Sequence, residues 1–220
     1  MPSGPEPGLS AFHLDALSEL GNIGAGNATT ALSQMLGDRA IRMSSPAARL
    51  VELGQVGEEL GAPDEPVAAV FLHVQGGVRG EVAFVLPDSA ARSVLATLTG
   101  AAGEPGTEDG VPLPQRGLGD LTASALLELG NIVVTSYLNA LSELTGLTLV
   151  PSVPWAAEDM LGAVVNSFLA EVEGLDDRIL VIETRFEDEQ DQVSGYLLFV
   201  PGRGQLPVLL AAMGLGSEGL

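Results

Sequence analysis

The sequence predicts an α/β (α+β) fold: one domain over residues 1–220, with an internal pseudo-two-fold repeat and a largely antiparallel sheet flanked by helices. Three observations predict it. Stretches with a helical period alternate with short β-branched runs, those runs come in close pairs that read as hairpins, and the order of elements restarts in the second half. At 220 residues and 46% apolar content the chain can bury a large core, and with 4% aromatics that core is aliphatic.

Residues 1–8 read as a tail. From Ser10 to about Leu36 the positions Phe12, Leu14, Leu17, Leu20, Ile23, Ala28, Ala31, Leu32 and Met35 recur at spacings of mainly three and four, a helix period, and Gly37 stands where a C-terminal cap belongs. Ile41–Leu53 reads as one or two short strands interrupted at Pro46. Val67–Val74 and Val78–Leu86 read as a hairpin across Gln75-Gly76-Gly77, and Asp88–Leu98 as a helix capped by Asp88 or Ser89. Residues 101–117, rich in Gly, Pro and acid without a period, form a linker between halves of about 10–100 and 118–214. The second half then predicts a long helix over Leu118–Thr145 ended by Gly146 and a short strand Leu147–Val150. A helix from about Ala156 to Glu173, strands Arg178–Phe186 and Val193–Val200, and a terminal helix Gln205–Met213 follow, for about six strands in all.

Charge excludes some partners. The net charge is −20, from 29 acidic residues against 9 arginines and no lysine, and a field of that sign repels phosphate backbones, so no nucleic-acid partner is expected. No run of about 18 apolar residues predicts a membrane span. The N-terminal MPSGPEPG does not read as a secretory signal, and the chain has no cysteine, so a cytoplasmic protein is expected.

Shifting residues 15–37 by 109 positions onto 124–146 gives identity at eleven of 23 positions. Leu and Ala could coincide through packing alone; the shared polar pair needs another reason. Each long helix carries an acid or hydroxyl, then Glu four residues on, then Asn three further on: Asp15, Glu19, Asn22 and Ser124, Glu128, Asn131. Spacings of i, i+4 and i+7 place all three on one helix face. On a single helix such a stripe is an ordinary solvated face, but here it occurs twice, and both Asn residues follow a Gly. A mid-helix Gly costs about 1 kcal/mol relative to Ala, and Gly21, Gly24 and Gly26 crowd one helix. Close backbone approach, either to a partner or to a neighbouring element of the same fold, offsets such a cost.

ELGNIGAGNATTAL at 19–32 and SALLELGNI at 124–132 resemble the two signatures of the CheC family, in which Asp or Ser precedes Glu by four, Asn follows Glu by three, and a Pro closes the pattern some 22 residues later. Pro154 fits that spacing and Pro46 lies one residue further out. The resemblance spans about residues 10–214. It implies a chemotaxis phosphatase acting on the aspartyl phosphate of a phosphorylated CheY-like response regulator, with Glu19, Asn22, Glu128 and Asn131 as catalytic residues and Asp15, Ser124, Pro46 and Pro154 supporting them. It also implies no cofactor of its own, Mg2+ being held by the bound regulator, and the receptor deamidase CheD as a second partner. The alternative function is that of a regulatory partner of CheD, docked through Gln205–Met213 and an edge of the Val193–Val200 strand. A flagellar-switch protein of the related FliY type is expected to carry a further C-terminal domain, and a CheX-like one a single intact site.

Other constellations carry less. GNIGAG follows no strand and is not succeeded by Gly-Lys-Ser/Thr, so it is not a phosphate loop. His13 and His73 have no metal-ligand spacing. Asp15 has Ser124 as its repeat partner, so a carboxylate pair is not the shared chemistry. Trp155, the one tryptophan, is expected to pack beside the second site.

Overall fold

The structure, a computed structural model, describes residues 11–36, 42–99, 120–171, 178–187 and 192–214. The predicted tail, the Gly37 cap and the 101–117 linker lie outside them. The first half runs α1 (Ala11–Leu36), β1 (Arg42–Glu52), a 3-10 turn (Leu53–Gln55), α2 (Val56–Leu60), β2 (Pro66–Gly76), β3 (Gly80–Pro87) and α3 (Asp88–Thr99). The second runs α4 (Asp120–Thr145), β4 (Leu149–Pro151), β5 (Trp155–Met160), α5 (Leu161–Glu171), β6 (Arg178–Glu187), β7 (Gln192–Pro201) and α6 (Gln205–Ala212). Among the described residues no helix is long and apolar enough to cross a membrane.

All strands share one sheet in the order β1-β6-β7-β3-β2-β4, with β5 also on β2, and every pairing is antiparallel. Read backwards, that order maps β1 onto β4 and β5, β6 onto β2, and β7 onto β3, which is the repeat expressed as a pseudo-two-fold between the two central strands. Each half lends its first strand to the other: β1 pairs with β6, and β4 and β5 pair with β2. The expected α/β fold with a largely antiparallel sheet is thus what the chain adopts.

Successive strand residues face opposite sides, and both sides are covered. Val70, Leu72, Phe84, Ile182 and Phe199 join α1, α3, α4 and α6 in one core, whereas Phe71, Ala83, Val85, Val181 and Leu198 join α2 and α5 in a second. Burial on two faces explains why these strands read as continuous apolar runs instead of alternating ones.

Of the prolines of the repeat, Pro46 sits in the edge strand β1, where a missing N–H is tolerated, and Pro154 sits between two strands. The β1–β6 register shifts between Ser44 and Ala47, a bulge that contains Pro46. In the second half the equivalent interruption, residues 152–154, separates β4 from β5.

Several expectations are corrected. Trp155–Met160 is a strand, not the start of a helix; Trp-Ala-Ala-Glu-Asp-Met contains good helix formers, but its ladder with β2, from Pro66 opposite Met160 to Phe71 opposite Trp155, overrides that preference. Helix α2 and the 3-10 turn, too short to show a period, were not expected, whereas Arg42–Glu52 agrees with the single-strand reading, irregular at Pro46. Strand β7 lies between β6 and β3, so it has no free edge to offer a partner. Trp155 stacks on Phe71 and approaches His73 on the α2/α5 side of the sheet, opposite to the α4 side, so it does not pack beside the second site.

Candidate active site

Helices α1 and α4 carry the repeated Glu–Asn pairs and pack on each other and on the same sheet face. Leu20 shares an apolar cleft with Leu138 and Leu141, and Gly24 lies against the Tyr137 ring, so the two helices run antiparallel. Burial pushes the Tyr137 phenol well above its ordinary pKa, only partly offset by the neighbouring Ser45 hydroxyl, so the ring is a neutral packing group. The shift of 109 pairs Gly24 with Val133 and Tyr137 with Ala28, both wholly buried.

Three of the glycines flanking the motif now have a cause within the fold. A β-carbon on Gly21 would collide with the Ser45 side chain on β1, and one on Gly24 with the Tyr137 ring. A β-carbon on Gly130 would come within 2.5 Å of Val70, which is itself wholly buried on β2. The glycine before each Asn therefore lets its helix lie directly on the sheet and fixes the height of the Asn above it. Nothing in the sequence marked Ser45, Val70 or Tyr137 as the reason; each is a long-range neighbour of an ordinary type. Gly130→Ala is expected to destabilise the protein by about 1–3 kcal/mol, the usual cost of overpacking a core, despite the better helix propensity of Ala. A urea titration measures this, and an unchanged midpoint would contradict the packing.

The opposite helix faces look outward. Glu19 and Asn22 are exposed on α1, as are Ser124 and Glu128 on α4, while Asn131 is half-buried. The side chains of Asp15 and Pro46 lie outside the described ones, and Pro154 is half-buried in the break between β4 and β5. The two Glu–Asn pairs do not merge into one centre. With Gly24 level with Tyr137, Asn22 is level with about residue 139, so the two Asn residues stand about 12 Å apart along the axis at 1.5 Å per residue, on helices whose axes lie about 8–10 Å apart. They form two patches on one side of the molecule.

Electrostatically the patches are unspent. Arg49, Arg92, Arg178 and Arg185 are engaged by Glu59, Asp88, Glu52 and Glu183, and His73 by Glu81 at 2.5 Å. Among the described residues no cation pairs with Glu19 or Glu128, and no hydrogen bond occupies the carboxamide of Asn22 or Asn131. Each patch thus offers a bare carboxylate and, one turn on, a carboxamide that can both donate and accept.

The model of the CheC-like family matches residues 12–49 and 121–156, two segments that include both Glu–Asn helix faces and both prolines. The CheY-P phosphatase CheC of Bacillus subtilis (strain 168) is 34% identical over 209 residues, covering 94% of this chain and 96% of that protein. The putative CheY-P phosphatase CheC1 of Halobacterium salinarum is 26% identical over 141 residues, 64% of this chain and 66% of its own. The crystal structure of Thermotoga maritima FliY shares the fold, with a TM-score of 0.74 at 23% identity over 94% of this chain and 98% of that one.

Proposed function

The chain belongs to the CheC-like family, and from that premise we propose that it is a chemotaxis protein phosphatase that hydrolyses the aspartyl phosphate of a CheY-like response regulator, with one Glu–Asn pair serving each of two active sites. The observation that carries the reading is the doubled pair itself: two outward faces, each with a carboxylate and a carboxamide that have no partner among the described residues, on helices packed closely against the sheet.

The chemistry asks little of the enzyme beyond placement. Water attacks phosphorus in line, the P–O bond to the aspartyl carbonyl carbon's oxygen breaks, and the electron pair leaves on a carboxylate that needs no proton. The water's oxygen and both of its protons leave with the released phosphate, as H2PO4−. Positioning dominates phosphoryl transfer of this kind. Asn22 or Asn131 accepts a hydrogen bond from the attacking water through its carbonyl oxygen and donates through its NH2 to the phosphoryl group. No general base is required. Glu19 or Glu128 pairs with a cation of the regulator, fixing the register of the two proteins. The Mg2+ of the reaction belongs to the regulator, and a cytoplasmic location for this chain follows from the reading only if that regulator is itself cytoplasmic.

The direct test is phosphate release from a phosphorylated CheY homologue with and without this protein. Acceleration well beyond autohydrolysis, proportional to the enzyme added, is expected; no acceleration over a range of salt concentrations would sink the reading.

A further inference from the structure

Of the three glycines in α1, only Gly26 lacks an internal reason. It is exposed, a β-carbon there would meet nothing within 4 Å, and its carbonyl accepts a hydrogen bond from the Thr30 hydroxyl at 3.0 Å. It lies one turn after Asn22 on the same face. A helical side chain leans toward the N-terminus and covers the turn before its own Cα, so any side chain at 26 would stand over the surface beside Asn22. The repeat supplies a comparison within the same molecule. The residue equivalent to Gly26 is Thr135, also one turn after its Asn, and there the Asn is half-buried, whereas Asn22 is exposed. The two Asn residues thus differ in exposure in the same sense as the residues one turn beyond them.

We propose that Gly26 is a positioning residue that keeps the first site open for close approach of the regulator's backbone around its phosphorylated aspartate, and that Thr135 narrows the second site. The inference rests on the phosphatase reading above. The two sites are therefore unequal: the Asn22 site takes the phosphorylated regulator at lower KM, while the water-placing group, and with it kcat, is the same in both. The sequence held a signal for this, since the 109-residue shift aligns Gly26 with Thr135 inside an otherwise well-matched helix.

Each site is isolated by silencing the other, and steady-state phosphate release from a phosphorylated CheY homologue is measured. In the Asn131→Ala background, Gly26→Ala is expected to raise KM by several-fold and Gly26→Thr by about tenfold, a change of about 1.4 kcal/mol in binding, with kcat nearly unchanged. The melting temperature of Gly26→Ala should rise, because Ala is the better helix former and meets no neighbour. Opposite signs for stability and affinity separate docking from a structural role. In the Asn22→Ala background, Thr135→Gly should lower KM despite its cost to the helix. An active Asn131→Ala parent whose KM ignores both Gly26 substitutions overturns this inference alone. A parent with no activity above autohydrolysis overturns the phosphatase reading, and this inference falls with it.

Discussion

Replacing Asn22 and Asn131 together by Ala is expected to return phosphate release to the regulator's own autohydrolysis rate, whereas either single replacement leaves the share of the other site. Loss of one preorganised polar group at a reacting centre typically costs about 100- to 1000-fold, and here the carboxamide is the only group assigned to the water. Because the sites sit on separate helix faces, the single variants lower the total by a fraction, and only the double variant shows the full factor. Stability should barely move. Asn22 is exposed and Asn131 half-buried, no described hydrogen bond is lost, and such substitutions usually stay within about 0.5 kcal/mol. Stopped-time assays of inorganic phosphate on the four proteins, with melting curves alongside, decide the matter. A double variant that kept most of its activity would show that water is placed by some other group.

Much of this arrangement is legible in the residues because two kinds of signal coincide. The helix period of α1 and α4 reports a one-sided apolar face, and the Glu–Asn stripe reports what lies on the other side. The repeat then says that the polar stripe is not chance. Strand order, in contrast, is a property of partners far apart in sequence. No local pattern indicates that β1 crosses to β6, that β7 is central, or that Trp155–Met160 prefers the edge of β2 to a helix. The glycines of the two long helices show both sides of this limit. Their number marks an energetic cost, but which neighbour offsets it is visible only once Ser45, Tyr137 and Val70 are in place, and only then does Gly26 stand out as the one within α1 and α4 without a neighbour.

The two carboxylates should govern docking as strongly as the carboxamides govern chemistry. Glu19→Gln with Glu128→Gln removes one charge from each patch while keeping size and helix propensity nearly constant. Losing one partner of a hydrogen-bonded charge pair that the complex buries typically costs about 2–5 kcal/mol, so KM for the phosphorylated regulator is expected to rise by about thirtyfold or more. The chain's net charge of −20 complicates any single salt titration, because salt also screens the general field that this surface presents to its partner. Comparing variant with wild type at each ionic strength cancels that background, which the two proteins nearly share. The ratio of their KM values should therefore be largest at low salt and shrink as the Debye length falls from about 30 Å at 0.01 M to about 8 Å at 0.15 M. A ratio near one at every ionic strength would mean that Glu19 and Glu128 meet no cation on the regulator; a large ratio that salt leaves untouched would mean that the interface buries the pair out of reach of screening ions.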